Sequence, residues 1–300
     1  MNNIFSVTDF LREKIKADGG NPHRETLHFI RTFDGNKYFK DEDGSCFRAY
    51  RFVDNSKAYD TVDSAEVFGK SGKAFGRFQK YLSDFPAESL SEIIKNFHNT
   101  IWRYENEFIP AVQADKADRA VNCGEEIKFV MHRREDCKKL VELIDKGELP
   151  LRVTHNDTKL NNVLFDSDSD DAICVIDLDT VMPGLALYDF GDSIRFGANS
   201  CAEDDDNYDK VELMLDYFEA YAKGFLSEAG DALNQCEIDN LAFSAKLMTF
   251  ECGMRFLTDY LNGDTYFKTA YPEHNLVRAK NQFALVADME RKMEQMQQII

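Results

Sequence analysis

The sequence predicts an α+β chain of two unequal lobes, a small amino-terminal lobe with antiparallel strands over 1–54 and a large, mainly helical carboxy-terminal lobe over 55–300. Three observations carry that expectation. Short β-rich runs separated by turn signals crowd the amino-terminal region. Apolar residues recur at intervals of three and four through most of 64–146 and again through 211–296. Between those helical stretches, three further short apolar runs surround a polar loop within 151–199.

Taken in order, Val7, Phe10, Leu11 and Ile15 follow a candidate N-cap at Ser6, so a helix is expected over Val7–Ile15, stopped by Gly19, Gly20 and Pro22. Strands are expected over Thr26–Thr32, Asn36–Lys40 and Cys46–Val53. The turn signals Asp34-Gly35-Asn36 and Asp41-Glu42-Asp43-Gly44 join them into a meander. The stretch Asp54–Tyr59 is the expected lobe boundary. Gly69–Gly76, GKSGKAFG, resembles a phosphate loop but fails the G-x-x-x-x-G-K-[ST] spacing and follows no strand. Val67, Ser71, Ala74, Phe78 and Leu82 instead mark a helix whose small residues permit close packing. Helices are expected over Leu90–Phe97, Ile101–Ile109, Glu125–His132 and Asp136–Ile144, with a break at Ile109-Pro110. His98, Trp102 and His132 are expected as packing or surface residues. After an acidic loop, AEDDDN, helices follow over Val211–Leu226, Glu237–Leu261 and Leu276–Met296.

Composition narrows the partners. A 300-residue chain that is 43% hydrophobic can bury a sizeable core, and a net charge of −18 argues against nucleic acid or an acidic membrane as a partner. Solubility explains the acidity better than a cationic substrate does. Seven scattered cysteines without paired spacing point to reduced thiols and a cytoplasmic protein. No apolar run is long enough to span a bilayer.

The chemistry lies in the stretch LRVTHNDTKLNNVLFDSDSDDAICVIDLD, whose runs LRVTH, NNVLF and AICVIDL are expected to form a small buried sheet. His155, Asp157 and Asn162 have the H-x-D-x-x-x-x-N form of a kinase catalytic loop, and Asp177 follows at the end of an apolar run. Phosphoryl transfer needs an acid to orient the attacking hydroxyl and hard oxygen ligands for a cation that neutralises phosphate. Lys159 adds a positive charge beside Asp157. Each residue alone is an ordinary turn or cap residue; the combination is what specifies the chemistry.

The blocks HNDTKLNNVLFD, CVIDLDTVMPGLALYDFGDSIRFGAN and ECGMRFLTDYL resemble the aminoglycoside phosphotransferase and choline kinase superfamily, and within it the bacterial N-acetylhexosamine 1-kinases. The resemblance implies a protein-kinase-like two-lobe fold that uses ATP and Mg2+ to phosphorylate a small sugar at its anomeric hydroxyl. It makes Asp157 the catalytic base, Asn162 and Asp177 the magnesium ligands, and Asp189, with His155, the support of the catalytic loop. Phe196, Arg255 and Tyr266 would border the sugar, and the backbone of Tyr50, Arg51 and Phe52 would meet the adenine. Arg255 has a second expectation, as a buried arginine paired to Asp189 or Asp192. No glycine-rich loop or lysine-bearing strand precedes the first helix, so the small lobe is expected to be truncated. A late start, an inactive relative that binds sugar, and transfer by Lys159 and metal alone stay open, as do choline or an aminoglycoside as acceptor and the oligomeric state.

Overall fold

The computed structural model describes residues 1–300. It is 55% helical and 9% strand, the α+β character that the sequence predicts. The chain falls into two compact units: one of Met1–Ile93, Leu151–Asp189 and Ala220–Leu233, the other of Ile94–Pro150, Phe190–Glu219 and Asn234–Ile300. No helix is long and apolar enough to cross a membrane.

The helices are α1 (Asn2–Ala17), α2 (Ala65–Tyr81), α3 (Thr100–Arg103), α4 (Ile109–Ala114), α5 (Gly124–Met131), α6 (Arg134–Asp145), α7 (Ala186–Gly197), α8 (Leu215–Ala229), α9 (Gln235–Asp239), α10 (Leu241–Asn262) and α11 (His274–Ile299). The strands are β1 (Phe29–Ile30), β2 (Phe39–Lys40), β3 (Cys46–Phe47), β4 (Ala49–Tyr50), β5 (Ser56–Lys57), β6 (Arg152–Thr154), β7 (Val163–Asp166), β8 (Ala172–Val175) and β9 (Met182–Gly184).

In the first unit, α1 begins before the expected Ser6 cap and buries Ile4, Val7, Leu11 and Ile15. These residues share one core with Phe78 and Leu82 at the end of α2 and with Val153, Cys174, Leu178 and Val181 around the catalytic stretch. α2 is capped by Ser64, whose Oγ accepts the Val67 N–H at 3.2 Å. A Cβ at Gly72 would come within 2.5 Å of the Tyr221 carbonyl oxygen, and one at Gly76 within 2.3 Å of that of Phe225. The GKSGKAFG stretch is therefore a close-packing helix against α8, as its periodicity predicts, and not a phosphate loop.

The amino-terminal strands depart from the expected meander. β1 pairs only with β4, and β2 only with β3, each as a two-residue antiparallel ladder. The expected strand Cys46–Val53 is broken at Arg48. Gly35 and Gly44, with φ of 78° and 86°, turn the chain where the sequence places turns. Only Phe29, half-buried against Phe5, meets the core, and the other residues of these ladders are exposed, so little enforces a longer register. The expected boundary Asp54–Tyr59 contains β5, which joins β7 and β8 in a three-stranded sheet.

The three apolar runs of the catalytic stretch do not form one sheet. β7 and β8 pair with each other, whereas β6 pairs with β9, a strand the sequence did not announce because Pro183 lies inside it. Proline lacks an N–H and is tolerated in a two-stranded edge such as this one.

The second unit is helical. The helix expected over Leu90–Phe97 does not form: Leu90 is extended and Asn96 is left-handed, with φ of 55°. Nor does Pro110 break its helix. α3 runs through a π-helical turn, Tyr104–Phe108, into α4, and Pro110 falls in the first turn of α4, where a missing N–H costs little. The helix expected over Glu237–Leu261 divides at Asn240 into α9 and α10. α10 is buried on nearly all sides, and a Cβ on its Gly253 would lie 2.6 Å from the Phe283 ring of α11. His98 is a packing residue with a partner: its Nδ1 lies 2.8 Å from the buried Glu251, which also accepts Thr100 Oγ1 at 2.6 Å. All seven cysteines are free thiols; burial pushes Cys174 up to about 12.

Candidate active site

The polar loop after β6 is built on one buried carboxylate. Asp189, 1% exposed in the first turn of α7, accepts the backbone N–H groups of His155 (2.9 Å) and Asn156 (2.8 Å) and the side chain of Gln79 (2.9 Å). Its carbonyl accepts Thr158 Oγ1 at 2.7 Å. A buried charge is tolerated when its oxygens are saturated in this way. Gln79 also donates to the Val153 carbonyl at 3.0 Å and so ties α2 to β6. The resemblance pointed to Asp189, whereas Gln79 was missed. Its one signal is a glutamine on the apolar face of Phe75, Phe78 and Leu82.

His155 is buried with the rings of Phe75 and Phe78 edge-on to it at 5.6 and 6.2 Å. Its Nε2 lies 2.8 Å from the Ile176 carbonyl, and its Nδ1 accepts the Asp157 N–H at 3.2 Å. Those two partners select the Nε2–H tautomer and fix the loop to the end of β8. Asn156 is left-handed, with φ of 65°, and its amide donates to the carbonyls of Thr154 (3.2 Å) and Thr180 (2.9 Å). Thr180 Oγ1 donates back to the His155 carbonyl at 2.7 Å. Backbone strain at a non-glycine residue persists where surroundings over-determine it, as here.

The loop presents Asp157 with about a third of its side chain exposed. Lys159 Nζ lies 2.9 Å from one carboxylate oxygen, and Asn162 Nδ2 donates to the other at 3.2 Å and to the Asp157 carbonyl at 2.8 Å. Asn162 thus uses its donor side on Asp157 and keeps its amide oxygen without a protein partner. The Ile176 N–H donates to the Asn162 carbonyl at 2.9 Å, which places the next residue, Asp177, beside the loop. Asp177 is exposed and left-handed, with φ of 56° and ψ of 57°.

No group of three or more His, Cys, Asp or Glu side chains could hold a metal. Asn162 and Asp177 instead offer two hard oxygen ligands, a set that suits magnesium, which keeps several waters and phosphate oxygens in its own shell. At the expected hinge, Tyr50 pairs with Phe29, and the Arg51 N–H donates to the His28 carbonyl at 2.8 Å. The side chains of Tyr50 and Phe52 are exposed.

Within the second unit, Arg255 makes no ion pair. Asp192, one expected partner, is bound by Arg195 at 2.9 Å, and Asp189, the other, by the loop described above. The Arg255 guanidinium lies over the rings of Phe97, Phe267 and Tyr266 at 5.2, 5.5 and 5.9 Å. Arg255 and Tyr266 line one cavity of about 500 Å³ together with Lys95, Lys116, Thr258 and Asn262. Phe196 is half-buried on α7 and does not line that cavity. Asp259, 5% exposed, holds the segment that carries Tyr266: its carboxylate accepts the N–H groups of Thr265, Tyr266 and Phe267, each at 2.9 Å, and the Asn275 amide at 2.9 Å. Nothing in the sequence marks Asp259, since an acid near a helix end is ordinary.

Residues 28–224 match the model of the phosphotransferase enzyme family APH. The fold is similar to that of a microcompartment-associated aminopropanol kinase, at 14% identity and a TM-score of 0.62 over 99% of this chain and 83% of that one. It is similar to a spectinomycin phosphotransferase, APH(9)-Ia, in complex with ADP and spectinomycin (15% identity, TM-score 0.53, 96% and 83% covered). It is similar too to a choline kinase from Cryptosporidium parvum (14%, 0.53, 98% and 79%). These likenesses show the protein-kinase-like fold. The match to the family model, which spans well over half of the sequence, shows more: the chain belongs to the APH phosphotransferase family and is a phosphotransferase with an alcohol group as acceptor.

Proposed function

We propose that the protein transfers the terminal phosphoryl group of ATP to the anomeric hydroxyl of an N-acetylhexosamine. The observation that carries the reading is the Asp157 carboxylate, held at one oxygen by Lys159 and at the other by Asn162 beside the exposed Asp177. A carboxylate so oriented accepts the hydrogen bond of an incoming hydroxyl and takes its proton as the new bond forms. Lys159 pairs with that carboxylate and adds positive charge where phosphoryl oxygens would lie. Asn162 Oδ1 and Asp177 would hold magnesium, which when bound neutralises the phosphate chain. His155 and Asp189 act through the loop, as positioning residues. In this reading 1–54 form the small lobe, the backbone of Tyr50, Arg51 and Phe52 meets the adenine, and the cell compartment is the cytoplasm. The ADP bound by the spectinomycin phosphotransferase of the same fold supports the nucleotide.

The acceptor is assigned from the sequence blocks that resemble N-acetylhexosamine 1-kinases, with Phe196, Arg255 and Tyr266 as its contacts. The charge of the cavity supports it. Arg103 is paired with Glu107 at 2.7 Å, and the Asp259 carboxylate is saturated by N–H groups, so Arg255, Lys95 and Lys116 are the lining charges without an ion-pair partner. Such a lining suits the oxygens of a sugar and its N-acetyl group and repels choline or an aminoglycoside.

Magnesium-dependent ATP turnover with N-acetylglucosamine, N-acetylgalactosamine, choline and kanamycin tests the reading. Turnover with the acetylated sugars alone is expected, and Asp157→Asn should lower kcat by about 10²- to 10⁴-fold at unchanged melting temperature. A variant retaining near-wild-type turnover would remove Asp157 from the mechanism. Sugar binding without turnover in the wild type would make the protein a binding module, and turnover with choline or kanamycin would overturn the acceptor.

A further inference from the structure

Arg48 stands where the expected strand Cys46–Val53 is interrupted, and the first unit holds its guanidinium in place from two sides. It lies 5.7 Å over the ring of Phe29, which in turn packs on Phe5 at 4.8 Å and Tyr50 at 5.7 Å. Its Nη1 donates to Asp179 at 2.5 Å and meets the Met1 sulfur at 3.5 Å. Its side chain is 22% exposed, against 57% for Asp179. Nε and Nη2 have no protein acceptor, so half of the planar fork is uncommitted.

The neighbourhood is that of the reacting groups. Asp179 lies two residues after Asp177 in the turn that follows β8. The hydrogen bond to Asp179 raises the Arg48 pKa above its ordinary value; burial opposes this, and the Asp177 carboxylate adds to the attraction. A guanidinium kept charged, fixed over an aromatic ring and retaining open N–H donors beside a magnesium-type ligand has the properties of a phosphate receptor. A simple strut needs none of the open donors. Asp179, exposed and bound through a single nitrogen, is a weak competitor for them.

We propose that Arg48 is a phosphate-binding residue of this site, which takes oxygens of the nucleoside polyphosphate through its free Nε and Nη2 while Asp179 holds its orientation. The assignment rests on the nucleotide reading of Asp157, Asn162 and Asp177 given above, and on no family residue: it is the placement of this side chain that carries it.

The test measures binding of magnesium-ADP and of adenosine to the full chain by titration calorimetry, without acceptor and without turnover. Arg48→Ala should weaken ADP by about 10- to 100-fold, the range for a lost pair of charge-assisted hydrogen bonds, with adenosine affinity and melting temperature unchanged. Arg48→Lys should recover part of the ADP affinity. Asp179→Asn, which removes the charge but keeps an acceptor for Nη1, should weaken ADP by no more than a few-fold, far less than Arg48→Ala. Wild-type ADP binding in Arg48→Ala, an equal loss of adenosine, or a loss in Asp179→Asn matching that of Arg48→Ala would each overturn the role and make the pair a strut. Absence of magnesium-ADP binding in the wild type would instead overturn the nucleotide reading of the whole site, and Arg48 with it.

Discussion

Two strand-bearing regions of the first unit are held in opposite ways. In 28–57 the ladders are two residues long, and Ile30, Phe33, Phe39, Phe47, Tyr50 and Phe52 are exposed. In 151–189 the strands are hardly longer, yet Thr154, His155, Asn156, Thr158, Asn162 and Asp189 are buried. The apolar region is the open one and the polar region the closed one, the reverse of what residue type alone suggests. A short ladder in water adds little, because water competes for its hydrogen bonds and only Phe29 reaches the core behind it. A buried carboxylate with several directed partners holds the loop to one geometry, which is what the proposed catalytic role requires.

The largest test of that contrast is Asp189→Ala. It strips the acceptor from the N–H groups of His155 and Asn156 and from Gln79, all of them buried. At about 1–3 kcal/mol for each unsatisfied buried donor, the loss should reach roughly 3–5 kcal/mol once partial relaxation is allowed for. Urea unfolding reads this directly, and phosphoryl transfer should vanish with it. A loss under about 1 kcal/mol would show that water replaces the carboxylate and that the loop is not organised around it.

The same contrast decides how much was legible in the sequence. The stretch 151–189 was legible as a cluster: His155, Asp157, Lys159, Asn162 and Asp189, singled out by spacing and resemblance, are found linked through one loop. Apolar periodicity located α2, α5, α6 and α11 to within a few residues, since each has a buried face to enforce it. The amino-terminal strands were misjudged, because β propensity predicts a strand only where a face is buried. Pro110 was misread as a stop, since a π-helical turn cannot be seen in residue type. Gln79 and Asp259 were invisible for another reason: a polar side chain gains its role from the backbone groups it meets, and those are fixed by tertiary structure.

A smaller effect is expected where the two regions are joined. Arg24 donates to Asp166 in β7 at 2.9 Å and to the carbonyls of Asp54 (3.1 Å) and Asn55 (3.0 Å). The N–H groups of Ser169 and Asp168, and then Arg24, hold the Asp166 carboxyl at about 2, below its ordinary 3.8. A depressed carboxyl pKa stabilises the folded state above the ordinary value, and that contribution is lost as pH falls from about 4 toward 2. Stability of the wild type should therefore decline through this window more steeply than that of Asp166→Asn, as measured by urea midpoints at successive pH values. Parallel curves would mean that the tie between β5 and β7 does not depend on this charge.

The smallest effect should come from Phe33→Ser. Phe33 is fully exposed in the turn after β1 and makes no ring contact. Removing an aromatic side chain that buries nothing should change stability by no more than about 0.5 kcal/mol, in contrast to the loss at Asp189. The comparison is then made within one unit, between an aromatic residue whose removal is silent and a carboxylate whose removal is not. A loss above about 1 kcal/mol for Phe33→Ser in urea would show that this ring is covered in solution. The amino-terminal aromatic residues would then have to be counted as a buried face, and the two regions as alike in how they are held.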